Sequence, residues 1–221
     1  MRNLENEVIT PIGYVENYFY EQRFGRNNVN VGRHLVKKEF AEAVKLIDEP
    51  ACNAHLAEKQ NDSVGALKKL PMRLLRLFVN AYQSWLWNET LAQFLKEKGK
   101  EVREETYSAG TMVLVENVGD FKEVRVPIPG FGDISSDSHL ITAITTSTLR
   151  REHLEPSDFV IKQIPELSLE GEMRKAVVEV KNLVLGKMEE DELNAGKKKV
   201  KVSFALGKGS YATMVVRRLL S

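Results

Sequence analysis

The stretch Asn17-Tyr18-Phe19-Tyr20-Glu21-Gln22-Arg23-Phe24-Gly25 sets three aromatic rings close together, with an amide on one side and a Gln-Arg pair on the other. Strand interiors seldom carry Asn, Gln and Arg among aromatics. Two readings of it stay open on the residues alone. In one, Phe19 and Phe24 are core residues of a strand or turn and Arg23 lies at the surface. In the other, a ring stacks on a nucleobase, an amide reads its edge and a guanidinium takes a phosphate.

Outward from this stretch the chain reads as follows. Val8 to Tyr20 is extended, punctuated by Pro11 and Gly13, and Gly25 to Asn30 is turn-rich. Gly32 to Val36 leads into a helix over Glu39 to Ile47, which Pro50 stops, and a weaker helical stretch follows from Ala54 to Leu70. The strongest helix runs from Met72 to Lys98, with Leu74, Phe78, Ala81, Tyr82, Trp85, Leu86, Leu91 and Leu95 at helical spacing. Pro71 suits its start and Gly99 its end. Trp85 and Trp87 cannot share one stripe, so this helix is covered on more than one side, as a core scaffold.

Beyond Gly99 the period shortens. Thr111–Val115 and Phe121–Val126 read as a hairpin joined through Glu116–Asp120. A turn-rich loop over Pro127–Gly132 precedes a helix over Thr142–His153. Asp158–Ile164 is extended, Arg174–Val180 is a strand, and Leu185–Lys198 is a polar loop. Val200–Leu206 alternates as a strand, Gly207–Ser210 turns, and Tyr211–Leu220 is helical.

Composition narrows the function classes. A chain of 221 residues, 43% hydrophobic and 29% charged, is long enough for a real core. No apolar run approaches the ~20 residues of a membrane span, and Met1–Glu7 is too polar for a signal peptide. The single Cys52 fits a reducing cytoplasm and a small buried apolar role. His34, His55, His139 and His153 are scattered without ligand spacing, so no metal site is expected. Net charge is +1, but Asn194–Ser221 holds seven Lys or Arg and no acid. Such a face suits phosphates. Gly207-Lys208-Gly209-Ser210 lacks the Walker spacing. Lys208 and Ser210 ahead of a helix could hold one RNA phosphate, or form a plain turn.

Three segments in order, Asn17–Gly25, Ala81-Tyr82-Gln83-Ser84-Trp85-Leu86-Trp87-Asn88 and Phe204-Ala205-Leu206-Gly207-Lys208-Gly209-Ser210-Tyr211-Ala212-Thr213, resemble the signatures of the TruD family of transfer RNA pseudouridine synthases. The resemblance covers nearly the whole chain. It implies an α+β fold: a partial pseudouridine-synthase sheet domain over residues 1–39 and 164–221, with an inserted, mostly helical TRUD-type module over 40–163. The strands near both ends would share one sheet.

The resemblance also implies chemistry. The family converts uridine to pseudouridine, at position thirteen of transfer RNA, with an aspartate and no metal or organic cofactor. It places Asn17, Phe19 and Tyr211 in the substrate pocket. Arg23, Lys208 and Ser210 are electrostatic additions for RNA phosphates. The family's catalytic aspartate sits in a Lys-Asp-x-x-Ala-x-Thr-like segment upstream of the Asn-Tyr-Phe motif. The sixteen residues before Asn17 hold no aspartate, and none of Asp48, Asp62, Asp120, Asp133, Asp137, Asp158 and Asp191 has that context. A fragment, a split enzyme completed by a second chain, or a non-catalytic RNA-binding relative is therefore expected. Tyr20 stands where the family has Gly, and Gly207 where it has Pro; the first would crowd the backbone and the second loosen the turn.

Overall fold

The computed structural model describes residues 12–220. The described residues hold eight α-helices: α1 (Glu21–Phe24), α2 (Asn28–Val36), α3 (Phe40–Ile47), α4 (Pro50–Glu58), α5 (Ser63–Leu67), α6 (Met72–Lys98), α7 (His139–Arg151) and α8 (Ala212–Leu219). They also hold eight strands: β1 (Tyr14–Glu16), β2 (Val102–Tyr107), β3 (Gly110–Val115), β4 (Arg125–Ile128), β5 (Glu172–Lys175), β6 (Val177–Glu179), β7 (Lys181–Glu190) and β8 (Lys198–Ala205). This is an α+β chain, as expected. It divides into two compact units: a larger one of residues 19–116 and 125–174, and a smaller one holding the described residues up to 18, 117–124 and those from 175 onward. The sequence places its divisions at 39/40 and 163/164; the units change over at 18/19 and 174/175.

The larger unit is built on α6. Its bounds are those the sequence predicts, because a Pro-led start, helical apolar spacing and a glycine after the last turn all agree. From Ala81 to Leu91 every residue but Trp85 and Glu89 is buried, so the helix is covered on more than one side. Each fully buried large side chain here, such as Leu86, Trp87 and Leu91, contributes about 1.5–3 kcal/mol. Polar members of α6 are satisfied by nearby carbonyls: Gln83 Nε2 donates to Pro129 O at 2.7 Å and Trp87 Nε1 to Val126 O at 3.1 Å. Those two bonds tie β4 and its following loop to the helix. Where α2 crosses α6, a Cβ added at Gly32 would lie 2.1 Å from the Phe78 carbonyl oxygen. Only a residue without a side chain lets the two backbones approach this closely.

Several local expectations give way. Gly32–Val36 belongs to a separate helix, α2, that starts at Asn28. Pro50 does not stop α3. Asp48, in the left-handed region at φ 49, ends it, and Pro50 opens α4 at a position whose N–H would be unpaired anyway. The expected 111–126 hairpin is displaced by one strand. β2 pairs antiparallel with β3 across Ser108-Ala109, whereas Val118–Phe121 forms a 3-10 turn and β4 pairs with β5. Asp158–Ile164 is not extended; short 3-10 turns at Pro156–Phe159 and Pro165–Leu167 occupy this region.

Asp158 joins α2's exit to the 3-10 turn at Pro156–Phe159. Lys38, at φ 61, directs its ammonium onto Asp158 O at 2.6 Å and Oδ1 at 3.0 Å. Partial burial works against the ionised carboxylate. The Glu155 amide and the Lys38 ammonium together outweigh it and hold the Asp158 pKa below its ordinary value of 3.8. A depressed carboxylate stabilises the fold above its unfolded pKa, and that contribution is lost as pH falls through the lower folded value. Thermal melts of the native chain and Asp158→Asn should therefore differ most above about pH 4 and converge below it. A gap constant from pH 3 to 7 would refute this.

In the smaller unit β1 pairs antiparallel with β6, Tyr14 facing Glu179 and Glu16 facing Val177. Bonds from Val180 N to Gly13 O and from Asn17 N to Ala176 O, at 2.9 and 2.8 Å, extend the ladder at both ends. The predicted strand 174–180 is thus split at Ala176 into β5 and β6. The expected loop 185–198 is also corrected: β7 continues to Glu190, and only 191–197 forms the tip before β8. Two register shifts interrupt the β7–β8 pairing, between Lys181 and Val184 and between Leu185 and Met188. Each extra residue flips the inside–outside alternation, which hides the strand from a period-two reading. β8 shows the predicted alternation, with Val200, Val202 and Phe204 half-buried between exposed neighbours. Among the described residues β1 pairs with β6, so the strand near the start shares a sheet with the 177–179 part of the later strand as expected, whereas β8 pairs with β7 in a separate sheet and does not join them. The expected extension before Ile12 lies outside the described residues.

Candidate functional site

In the smaller unit, Asn17 follows the last residue of β1 and is 7% exposed. Its Nδ2 donates to Lys175 O at 3.0 Å, so the side chain that the sequence assigns to a substrate also secures the start of the 175–180 segment. Beside it Glu16 is fully buried, and Arg218 of α8 brings Nη1 to 3.6 Å from its Oε1. An ion pair sunk this deep is costly to break from one side. Lys208 is exposed and joins no ion pair among the described residues. Gly209 takes φ 84, Ser210 N donates to Gly207 O at 3.3 Å, and Tyr211, half-buried, leads into α8. Lys208, Ser210 and Tyr211 thus lie along one turn. A Cβ at Gly207 would meet only Val178 Cγ2 at 3.9 Å, so this turn does not demand glycine.

In the larger unit, the stretch from Phe19 to Phe24 passes from extended chain into the single turn of α1. Tyr20 has φ −127 and ψ −177, ordinary extended backbone, and the expected crowding does not arise. Phe19 is 6% exposed and is held by its main chain. Its N–H donates to Asn88 Oδ1 at 3.0 Å, and its carbonyl accepts from Asn88 Nδ2 at 2.9 Å. The same Nδ2 lies 3.1 Å from the Tyr107 hydroxyl. One amide on α6 therefore satisfies both polar groups of a buried residue 69 positions earlier in the chain. Burial pushes the Tyr107 phenol up, and the Asn88 bond opposes that shift. Phe24 packs on Tyr107 with ring centroids 5.5 Å apart.

The Phe19 ring meets the Trp87 ring edge-on, at 5.5 Å and 87°. Arg174 Cζ lies 4.1 Å from its centroid and Arg23 Cζ 5.4 Å from it. Two residues that the sequence assigns to different tasks, Phe19 to stacking and Arg23 to a phosphate, are thus brought together. Glu21, the nearest acid in sequence, is engaged by Ser108, whose backbone N donates at 3.0 Å and whose hydroxyl also bonds the carboxylate. Asn88, Trp87 and Arg174 were not singled out as functional from the sequence. A polar amide beside Trp87 in an otherwise apolar helical segment was the available signal for Asn88. Arg174 had none, because it comes next to Phe19 only through the fold.

All seven aspartates lie among the described residues. Asp62 and Asp133 are held below their ordinary pKa by side-chain hydrogen bonds first, to His55 and Ser135 respectively. Asp191 is lowered in the same way by Asn194 at the β7–β8 tip, and Asp158 is paired with Lys38. Asp48 accepts from Asn53 at 3.1 Å. Asp120 and Asp137 are exposed.

Comparison with known proteins shows the family. The family model described as tRNA pseudouridine synthase D (TruD) matches residues 45–219. The Methanocaldococcus jannaschii protein named "Probable tRNA pseudouridine synthase D 2" is 34% identical, over 99% of this chain and 64% of its own length. "Probable tRNA pseudouridine synthase D 1" of Methanococcus maripaludis is 30% identical, over 93% of this chain and 64% of its own length. A crystal structure of a Methanosarcina mazei protein that carries the TruD name superposes with a TM-score of 0.69 at 26% identity, covering 94% of this chain and 61% of that one. The chain belongs to the TruD family. It spans 64% of the length of each of the two curated relatives.

Proposed function

We propose that this chain forms the RNA-holding part of a transfer RNA pseudouridine synthase acting in the cytoplasm on uridine thirteen. The nucleophilic aspartate would come from residues outside this sequence, upstream or on a second chain. The observation that carries this reading is the meeting of two family-like segments at Phe19: the main chain of one is clamped by Asn88 of the other, and its ring lies against Trp87. Asn17, Phe19 and Tyr211 are assigned to the uridine. Arg23, Lys208 and Ser210 are assigned to phosphates. The helical module expected over 40–163 is assigned to holding the RNA body.

The reaction is an isomerisation. The bond from ribose to N1 of uracil breaks, the base turns, and C5 takes the ribose carbon; N1 ends with a proton and C5 loses one. Extracting the uridine from its stack costs roughly a few kcal/mol, of which contact with an aromatic ring returns about 1–3 kcal/mol. The local engagement of five aspartates supports a nucleophile from elsewhere. It equally supports the second reading, a non-catalytic RNA-binding relative.

Pseudouridine formation in an unmodified transfer RNA transcript tests both, run with this chain alone and with a polypeptide carrying the family's upstream aspartate segment. Product only on complementation is the expected result. Product from the chain alone would place the nucleophile within it, and binding without product in either reaction would favour the second reading. Phe19→Leu and Tyr211→Leu should each weaken transcript binding by roughly 5- to 150-fold, the equivalent of 1–3 kcal/mol, with a smaller change in melting temperature. Loss of stability with unchanged RNA affinity would count against both RNA readings.

A further inference from the structure

Around Phe19 the larger unit brings two guanidiniums to one aromatic ring. Arg174, on β5, sits over the Phe19 face at 4.1 Å and lies 5.2 Å from the Trp87 centroid. Arg23, on α1, is within 5.4 Å of the same Phe19 ring. A ring's negative face attracts a cation, but it engages the flat face of a guanidinium and leaves the N–H edge to find its own acceptor. For Arg23 that acceptor is missing: its Nε is buried and has no hydrogen-bond partner. Buried donors in native proteins are paired almost without exception, and an orphan marks a place where another group is expected. Glu21, which could have reached back from the first turn of α1, is taken by Ser108.

We infer that Arg23 and Arg174 together form a seat for one phosphodiester group, with Phe19 as the support that aims both guanidiniums. Two forked donors match the oxygens of a phosphate better than two ammonium groups would. This inference rests on the RNA reading above and adds Arg174 to it. It also changes the part played by Phe19. With Arg174 over the ring and Trp87 at its side, Phe19 acts first as the carrier of a phosphate-binding pair.

The test is the affinity for a fluorescent, unmodified transfer RNA transcript as a function of KCl. It compares the native chain with Arg23→Gln, Arg174→Gln and the double variant, each checked by thermal melting. One lost phosphate contact reduces the slope of log affinity against log salt by about 0.7–0.9. Each single variant should lose about that much. The double variant should lose no more than either, because both side chains serve the same phosphate. Arg23→Lys and Arg174→Lys should keep the slope while binding less tightly, since charge survives without the fork.

Unchanged slopes in folded Gln variants overturn the seat while salt-dependent binding by the native chain leaves the RNA reading standing. A double variant that loses twice as much as either single overturns the shared phosphate. Should the native chain bind no transcript, the RNA reading fails, and inorganic phosphate decides the seat alone. Phosphate should then change the tryptophan emission of the native chain, where Trp87 neighbours Arg174. No response, or the same response in Arg23→Gln, overturns it.

Discussion

Replacing Asn88 with Leu should lower stability by roughly 3–5 kcal/mol and remove most RNA binding with it. The side chain is 1% exposed and bonds the N–H and the carbonyl of Phe19 together with the Tyr107 hydroxyl. Leucine is of similar bulk, so the loss comes from stranded partners rather than from a cavity. Each buried group left without a partner costs about 1–3 kcal/mol, and Asn88→Leu strands at least two. The Phe19 peptide would then leave α6 to find water, taking its ring off Trp87 and away from Arg174. Urea denaturation measures the first effect and transcript anisotropy the second. Asp at this position keeps the acceptor for Phe19 N–H but loses the donor, and should fall between the native chain and Asn88→Leu. Stability within 1 kcal/mol of native for Asn88→Leu would show that the clamp is incidental.

Gly32→Ala should cost about 3 kcal/mol, at the upper end of what one added carbon does in a packed interior. The new Cβ would lie 2.1 Å from the Phe78 carbonyl oxygen, 2.7 Å from its carbon and 2.9 Å from Tyr82 Cβ. These are backbone or near-backbone atoms and cannot rotate aside. Either α2 lifts from α6 or the helix bends. Lifting α2 would also draw Arg33 from the Tyr82 and Trp85 rings, which its Cζ approaches to 5.4 and 5.0 Å, and from Glu152, 2.8 Å from its Nε. The denaturant midpoint should fall without a change in slope. Gly207→Ala is the matched control, because a Cβ there enters ordinary space. It should stay within about 0.5 kcal/mol of native. Equal effects at the two glycines would argue that the close crossing does not set the cost, since helix propensity by itself favours alanine at position 32.

What could be read before folding follows from where the physics is local. α6 was legible to its ends because twenty-seven residues of helical spacing, a proline start and a glycine finish say the same thing. β2 was missed because Val102–Tyr107 turns its charged residues to solvent and ends in Ser-Ala, which carries none of the glycine or asparagine that advertises a tight turn. β7 was missed because its two bulges break the alternation. Among the candidate residues, Asn17, Phe19 and Tyr211 could be named from motifs and Arg23 from its charge, since both are local patterns. What holds Phe19 could not, because Asn88 and Arg174 reach it only through tertiary structure. The amide on α6 and the guanidinium on β5 carry no label in the sequence that ties them to position 19.

The Asn88 clamp grips the peptide groups of position 19 and not its side chain. An anchor of this kind is indifferent to what the residue carries. During divergence, or in a redesign, the ring could be enlarged, shrunk or given a hydroxyl while its attachment to α6 stayed the same. The scaffold thus separates where a side chain stands from what that side chain is, and lets selection alter the second without first having to rebuild the first.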